Sequence, residues 1–424
     1  MMSKLKGFLG IAAPIAIASI ITACGSSSSH DDGAVATAVT EASLKENYVN
    51  IAYAMYSDSL TTAEALQTAV TNFIATPNED NLTLARAAYK AARVPYQQSE
   101  ILRFDTDITL GSNTGDEGIA SVDEWEGQVN AWPLAEGLID YVDGGDGNNI
   151  IAGADTIDAA YLIGQNGIND SDANVATGVH AIEFLLWGQD LNGTAAGAGT
   201  RPATDYDTDA GCTNGNCDRR AQYLQAATGL LVSDLTDMVA EWTPAAVTTD
   251  GTLAYNFINH DDAIAYMLGS MKVMADDELA GARMGTALEF GDTEEEHDCF
   301  SDLSHIAIYN NFQGIKNAFY GSYGSVSGAS FADLLEQTDA NTFTIVDALF
   351  TSIETKMAAI QTLGESADPV LRFDQIIGLG EGNEHYDNTN AASLELVQLG
   401  VELDLARQAL SLTELNTEGG GDGD

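Results

Sequence analysis

The chain has 424 residues, of which 45% are hydrophobic and 8% aromatic, a composition typical of a folded protein with a sizeable core. Its 64 acidic residues against 16 Lys and Arg leave a net charge of -48. This charge repels the phosphate backbone of nucleic acids and argues against nucleic-acid binding. It is compatible with a solvated surface suited to saline surroundings, or with attraction for cations.

The chain begins with the features of an export signal. Two lysines precede an apolar stretch, residues 7–21, which is too short to span a bilayer comfortably as a helix. The stretch leads into Ile21-Thr22-Ala23-Cys24, which resembles the lipobox of bacterial lipoproteins, where the cysteine becomes the lipidated first residue. We therefore expect residues 1–23 to be removed as a lipoprotein signal peptide. We expect Cys24 to carry a lipid that anchors the protein to a membrane.

The segment that follows predicts a flexible tether. Residues 24–43 contain a serine run and lack a clear apolar period. By resemblance to protein sorting in Gram-negative bacteria, Gly25 after the cysteine favours the outer membrane. We therefore expect a cell-envelope lipoprotein in the outer membrane that faces the periplasm.

The rest of the sequence predicts an all-α fold, because apolar residues recur at helical spacing and alternating strand patterns are scarce. Thr76-Pro77-Asn78 separates the first two helices, with Asn78 or Asp80 as the N-cap of the second. Residues 105–172 are rich in Gly, Asp and Asn and predict long loops with short helices. The predicted helices lie within residues 44–94, 174–190, 218–242, 262–284, 302–320, 331–363 and 391–415.

A break near Pro244 divides these helices into two sets with a similar rhythm. The economical architecture is two similar helix-bundle domains, an internal repeat with long decorated loops. We assign residues 44–245 to the first domain, 246–417 to the second, and 418–424 to a disordered tail.

His180 and Glu183 form the clearest candidate for chemistry. They lie three residues apart in an apolar helix, so they share one face. An imidazole and a carboxylate on a buried face make half a site for zinc, iron or manganese, and iron sites in bundles use the reversed Glu-x-x-His order. Alternatively, Glu183 only fixes the tautomer of a packed histidine. The pair is not a known zinc-protease motif, because those motifs need a second histidine and Phe184 follows Glu183.

Residues 178–183 have the form G-x-H-x-x-E, the signature of the imelysin family, and the sequence resembles in particular the iron-regulated protein A branch of that family. Similar blocks extend over nearly the whole mature chain, at residues 92–100, 129–134, 217–220 and 296–302. The resemblance implies two similar helix-bundle domains with a site near their junction, built around the His/Glu pair. It also implies two conflicting activities, an old peptidase label and links to iron regulation and uptake. Related domains in a ferrous-iron uptake lipoprotein use the H-x-x-E pair as metal ligands.

Other members of the site are expected near this pair. Glu100 follows Arg93 by two helical turns and points the same way if Pro95 only kinks or opens the helix. Glu100 is the first choice for a further carboxylate ligand, with Arg93 as an anion contact or salt-bridge partner. The alternative is a buried Arg93–Glu100 pair that only holds the bundle together.

Asp302 and His305 repeat the acid and histidine spacing in the second half, which makes both further site candidates. Ser301 or Asp302 could instead cap the helix that starts there, and we expect one of them to do so. The run of glutamates at residues 294–296 is typical of a solvated charge run.

The cysteines after Cys24 predict one disulfide. Cys212 and Cys217 flank four polar residues in an exported protein, where oxidation is expected, so we predict a bond between them and a thiol at Cys299. The alternative is a metal cluster of all three cysteines.

Together these features predict a cell-envelope lipoprotein that binds iron, or an iron-containing ligand, in iron acquisition or regulation. Zinc or another divalent metal is the alternative cofactor, and an envelope iron-transport protein is the expected partner. Two other functions compete with this prediction. One is a metallopeptidase that uses the same His180 and Glu183, and the other is a non-catalytic interaction domain in which the pair is structural. The missing second histidine argues for binding over hydrolysis.

Overall fold

The computed structural model describes residues 39–102, 127–366 and 370–414. The predicted signal peptide, Cys24, residues 24–38 of the predicted tether and the C-terminal tail lie outside the described residues and stay predictions. Residues 41–43 of that tether are helical instead, because the first helix begins at Glu41. None of the helices in these ranges combines the length and hydropathy that a membrane span requires.

The predicted all-α fold is confirmed, with one hairpin of two-residue strands as its only sheet within the described ranges. The helices are α1 Glu41–Ala75, α2 Glu79–Ser99, α3 Glu136–Ile139, α4 Ala159–Ile163, α5 Gly178–Trp187, α6 Cys217–Trp242, α7 Leu253–Asn259, α8 Ala263–Val273, α9 Thr286–Phe290, α10 Ser304–Tyr320, α11 Phe331–Thr338, α12 Ala340–Glu365, α13 Phe373–Leu379 and α14 Glu384–Ala409. A π-helical segment, Met274–Gly285, joins α8 to α9. Short 3-10 turns lie at Glu100–Leu102, Ile168–Asp170, Ala203–Tyr206, Ala246–Thr248 and Thr293–Glu295. The strands β1 Ser322–Tyr323 and β2 Val326–Ser327 pair antiparallel.

Local capping chemistry sets several of these boundaries. Asn78 caps α2 as predicted, because its side chain accepts a hydrogen bond from the backbone N–H of Asn81 at 2.9 Å. The predicted helix at 331–363 is divided in two, because the side chain of Asp339 accepts from the N–H groups of Asn341 and Thr342 and starts α12 there. Polar side chains thus override an apolar period that runs across the break.

The predicted helix at 262–284 changes its winding partway. Residues up to Val273 are α-helical, and the next twelve residues form the π-helical segment. A Cβ at Gly285 would lie 2.6 Å from the carbonyl oxygen of Ala280, so the wide winding brings backbone close to this glycine. The π-helical segment carries the buried Arg283, and such segments are often found at functional sites.

The helices pack as two groups around one continuous apolar core. In the first group α1 packs against α2 and α6, and in the second α14 packs against α12 and the π-helical segment. Helix α10 packs against both α2 and α12 and so links the groups. Residues from Val39 onward form one compact unit, and the internal repeat with a boundary near residue 245 stays a prediction.

Candidate metal centre

The predicted His/Glu pair lies on α5, all of whose residues are buried. The helix begins at Gly178, whose φ of 78° is a conformation that L side chains rarely adopt. A Cβ at this position would lie 2.5 Å from the carbonyl oxygen of Val129. The glycine of the motif is therefore what allows α5 to approach the chain at Val129 closely enough to be buried.

Glu183 is held by three donors from outside its helix. Its Oε1 accepts from the backbone N–H of Ser301 at 2.9 Å and from the Ser301 hydroxyl at 2.6 Å, and its Oε2 accepts from the Tyr89 hydroxyl at 3.3 Å. Burial raises the pKa of the Glu183 carboxyl well above its ordinary value. The charge of Asp298 adds to this rise, while the bonds from Ser301 oppose it.

His180 has one occupied and one open ring nitrogen. Its Nδ1 lies 3.0 Å from Glu183 Oε2. An ionised carboxylate can only accept, so Nδ1 then carries the proton and Nε2 presents a lone pair. Nε2 is buried and has no hydrogen-bond partner in the part of the chain that the structure describes. Burial lowers the pKa of His180 well below its ordinary value, so the ring stays neutral, as a metal ligand must be.

Asp298 supplies a second carboxylate from the loop before α10. Arg93 on α2 binds it in a bidentate manner, with Nε 2.8 Å from Oδ1 and Nη2 3.1 Å from Oδ2. Although burial alone would raise the pKa of Asp298, the Arg93 guanidinium holds it well below its ordinary value. Arg93 also donates to Asn130 Oδ1 at 2.8 Å. Arg93 is therefore a salt-bridge partner, as predicted, but it pairs with Asp298 and not with Glu100.

His180, Glu183 and Asp298 together form a group that fits a metal ion. One ligand atom from each lies within 4.8 Å of the other two. One imidazole nitrogen and two carboxylate oxygens are donors that suit iron, zinc or manganese. With Glu183 ionised, Nε2 is a buried acceptor without a hydrogen-bond partner among the described residues, so the residues present fit such a cation. Arg93 balances one carboxylate, which leaves one net negative charge when Glu183 is ionised.

Aromatic rings close the space around His180. Its ring centroid lies 5.0 Å from that of Trp132 and 4.5 Å from that of His297. The Nε2 atom of His297 is likewise buried without a hydrogen-bond partner among the described residues. Sequence reasoning assigned no role to His297, Asp298 or Tyr89. His297 and Asp298 lie in residues 296–302, one of the blocks that resemble the imelysin family. That resemblance was the available signal for these two residues.

Glu100, the predicted third ligand, lies elsewhere. Its Oε2 accepts from Arg283 Nη1 on the π-helical segment, and from Asn311 Nδ2 at 3.2 Å. It does not belong to the group around His180 within the described ranges. The structure thus favours the structural alternative for Glu100, with Arg283 in place of Arg93. Pro95 does not end α2, so Glu100 follows the helix toward Arg283.

The structure also separates Asp302 from His305. Asp302 precedes α10 with a φ of 54°, and its Oδ2 accepts from Arg372 Nη1 at 3.2 Å. His305 Nε2 lies 2.9 Å from Glu365 Oε1. Neither belongs to the group around His180 in the described part of the chain. The equal spacing does not create a second pair, because Asp302 lies outside the helix that carries His305.

Two predictions about this loop are wrong. Helix α10 has Leu303 as its N-cap, without a side-chain cap, because the hydroxyl of Ser301 is used by Glu183. Glu296 is buried with 1% exposure and is not part of a solvated run. Only Glu294 and Glu295 are exposed.

The cysteines follow the predicted arrangement. Cys212 and Cys217 form a disulfide, and Cys299 is a buried thiol. A cluster of all three around a metal is thereby ruled out for this state of the protein.

The fold and the centre define an all-α protein with a buried histidine and carboxylate group beside an arginine. The Imelysin family model, also named Peptidase M75, matches residues 52–402. The chain therefore belongs to the imelysin family, which confirms the predicted family. A search of the curated proteins found no match.

Two solved structures share the fold. An iron-regulated protein A-like protein from Parabacteroides distasonis ATCC 8503 has a TM-score of 0.63 and 19% identity, covering 88% of this chain and 97% of that one. An imelysin-like protein from Psychrobacter arcticum 273-4 has a TM-score of 0.58 and 13% identity, covering 89% of this chain and 99% of that one. At these identities the comparison concerns the fold alone.

Proposed function

We propose that this protein binds a transition-metal cation, iron in the first instance, through His180, Glu183 and Asp298. The observation that carries the proposal is that His180, Glu183 and Asp298 place one possible ligand atom each within 4.8 Å of the other two, while His180 Nε2 is buried without a hydrogen-bond partner among the described residues. A buried polar atom without a partner costs free energy, and coordination of a cation would recover it. Binding of a metal cation would thus be favoured at this centre.

Iron is the proposed cargo because of the donor set and the surroundings. Imidazole nitrogen and carboxylate oxygen bind iron well, and a net charge of -48 concentrates cations near the protein. The name of the Parabacteroides neighbour also refers to iron regulation. The same donors bind zinc, and an iron-containing ligand would use the same atoms. The titrations below therefore compare metals.

We further propose that the protein is a cell-envelope lipoprotein, held in the outer membrane through Cys24 and facing the periplasm, where it would act in iron acquisition or regulation with an iron-transport partner. The support is the Ile21-Thr22-Ala23-Cys24 sequence. Cys24→Ser should release the protein from membrane fractions. Unchanged retention of this variant would contradict the anchor.

Hydrolysis of peptides is the second candidate, because the family model also bears the name Peptidase M75. His180 and Glu183 would have to serve it. Both are essentially unexposed, so a peptide could reach them only after α5 and the loop before α10 separate. An unfolded peptide substrate belongs in the same experiment for this reason.

The test is calorimetric titration of the mature chain with Fe(II) under anaerobic conditions, and with Fe(III) and Zn(II). His180→Ala removes the nitrogen donor and Glu183→Gln removes a charged oxygen donor. Each should weaken affinity more than tenfold, which corresponds to more than ~1.4 kcal/mol. His385→Ala is the matched control, because His385 is a half-buried histidine on α14 outside the group.

Equal affinities in wild type, His180→Ala and Glu183→Gln would overturn the proposal. If wild type cleaves the peptide and His180→Ala does not, peptide hydrolysis would replace metal binding as the proposed function. If the pair were only structural, His180→Ala would lower the melting temperature and leave the metal content unchanged.

A further inference from the structure

A second group of acidic side chains lies beside the candidate centre. Asp190 follows α5, Asp302 precedes α10, and Asp374 lies in α13. One carboxylate oxygen from each lies within 4.8 Å of the other two. Asp302 and Asp374 are 1% and 0% exposed. Three separate parts of the chain thus bring three carboxylates to one buried point.

Several oxygens at this point have no donor. The Oδ1 atoms of both Asp302 and Asp374 are buried and lack a hydrogen-bond partner within the described residues. A fourth acid, Glu296, is equally buried, and its Oε2 also has none there. Glu296 precedes Asp302 in the loop before α10. The unpartnered Oδ1 atoms of Asp302 and Asp374 are the observation that points to a ligand, because nearly fully buried carboxylate oxygens normally have a partner.

The protein itself supplies little positive charge here. Arg372 contacts Asp302 Oδ2 at 3.2 Å, and no other ion pair reaches these four acids in the described ranges. The remaining bonds orient the carboxylates. Asp190 Oδ1 accepts from the backbone N–H of Asn192 at 2.8 Å, and Asp374 Oδ2 accepts from Gln375 Nε2. The bond to Asp374 leaves its Oδ1 open within the described residues.

We propose that Asp190, Asp302 and Asp374, with Glu296 beside them, form a second cation site that takes a hard divalent ion of the calcium class. Calcium binds six to eight oxygens at about 2.3–2.6 Å, so two ligands of one ion lie at most about 5 Å apart. The 4.8 Å group satisfies this limit. The absence of nitrogen and sulfur donors among the four acids disfavours zinc.

This site is distinct from the iron centre, although one loop serves both. Asp298 is a member of the group around His180 and Ser301 contacts Glu183, whereas Asp302 belongs to the acidic group. The left-handed φ of 54° at Asp302 turns the chain between the two. A calcium ion would hold together the loop before α10, the segment after α5 and α13.

The experiment is a calcium titration of the full mature chain, freed of metal by a chelator, at physiological salt, with Mg²⁺ in a parallel arm. We expect one calcium per chain and a calcium-dependent rise in melting temperature. Asp302→Asn and Asp374→Asn should each weaken binding at least tenfold and remove that rise. Asp237→Asn, an exposed acid on α6, is the matched control and should behave as wild type. His180→Ala should retain calcium binding.

Four results would overturn the proposal. The first is that wild type shows no saturable calcium binding, and the second is that Asp237→Asn and Asp302→Asn bind calcium equally. The third is that His180→Ala loses calcium binding, and the fourth is that the protein prefers Mg²⁺ to calcium. Equal uptake would mean diffuse attraction to the acidic surface, and loss in His180→Ala would place the ion at the first centre. Removing one like charge should not unfold the chelated protein, and Asp374→Asn decides alone if Asp302→Asn does not fold. The iron titrations of the first centre remain a separate measurement.

Discussion

Two buried groups of charged side chains differ in the partners of their carboxylates. Asp140 accepts from Arg220 Nε at 2.6 Å and Nη2 at 3.0 Å, and from Arg201 Nη1 at 2.5 Å. Burial alone would raise the pKa of Asp140, but these guanidinium groups hold it below its ordinary value. At the candidate metal centre, by contrast, the pKa of Glu183 is raised and His180 Nε2 has no partner among the described residues.

The difference indicates what each group does. A carboxylate whose oxygens are all paired with guanidinium groups stabilises the fold and offers nothing to a ligand. A group that keeps a ligand atom without a hydrogen-bond partner loses stability but can bind a cation. Burial of charge alone would not have separated these roles, since both groups are almost fully buried. Substitutions in the two groups, and the pH dependence of stability and binding, can test that distinction.

Asp140→Ala should lower the free energy of unfolding by about 3–5 kcal/mol, because it leaves two buried guanidinium groups without their carboxylate. Iron affinity should stay unchanged. Urea denaturation with iron titration measures both, and Asp218→Ala, an exposed acid on α6, is the control. A loss no larger than that of the control would remove the structural role of Asp140.

The acidic group should give stability the opposite pH dependence to Asp140. Burial, followed by neighbouring acids, raises the pKa of Asp302 to about 7, and burial raises that of Asp374 to about 6. The folded state then holds protons that the unfolded state has released, so stability falls as pH rises from about 4 to 7. We expect a loss of about 2 kcal/mol after allowance for partial solvation. The depressed pKa of Asp140 instead removes stability only below about pH 4.

Denaturation of the chelated protein across this pH range measures the loss, and Asp302→Asn should flatten the curve. Asp237→Asn should leave the curve as it is. A wild-type curve that rises throughout would contradict the raised pKa values.

Iron affinity should increase with pH through Glu183. Its raised pKa means that the carboxyl group must release a proton before it binds a cation, whereas His180 is already neutral because burial lowers its pKa. Affinity should therefore rise about tenfold, or ~1.4 kcal/mol, per pH unit below the pKa of Glu183. Calorimetry in two buffers of different ionisation enthalpy should detect about one proton released per iron. Release of none would mean that Glu183 is ionised beforehand or is not a ligand.

Ser301→Ala should have the smallest effect. It removes the 2.6 Å hydrogen bond to Glu183 Oε1, which opposes the rise in the pKa of Glu183. We expect a loss of about 1 kcal/mol, or roughly fivefold in iron affinity at neutral pH, with the fold retained. The control is Ser233→Ala on the exposed side of α6. Unchanged affinity would show that the backbone N–H of Ser301 alone holds Glu183.

Only part of the candidate centre could be predicted from the sequence. His180 and Glu183 were predictable because three-residue spacing on a helix is local information. Asp298 lies more than a hundred positions away, and only the packing of α10 and its preceding loop brings it to α5. Glu100 was predicted to join them, yet a buried arginine on the π-helical segment pairs with it first.

Local sequence was enough to predict the helical class, a cap at Asn78 or Asp80, the Cys212–Cys217 pair and the His180/Glu183 face, because each depends on residues close together in the chain. The tertiary structure alone decided which acids are paired, which are buried without a partner, and which share a cation-sized space. Glu296 shows the reason. In sequence it belongs to a run of three glutamates, but the structure buries it, and burial raises its pKa together with the charges of Asp374 and Asp302, an environment that no local pattern encodes.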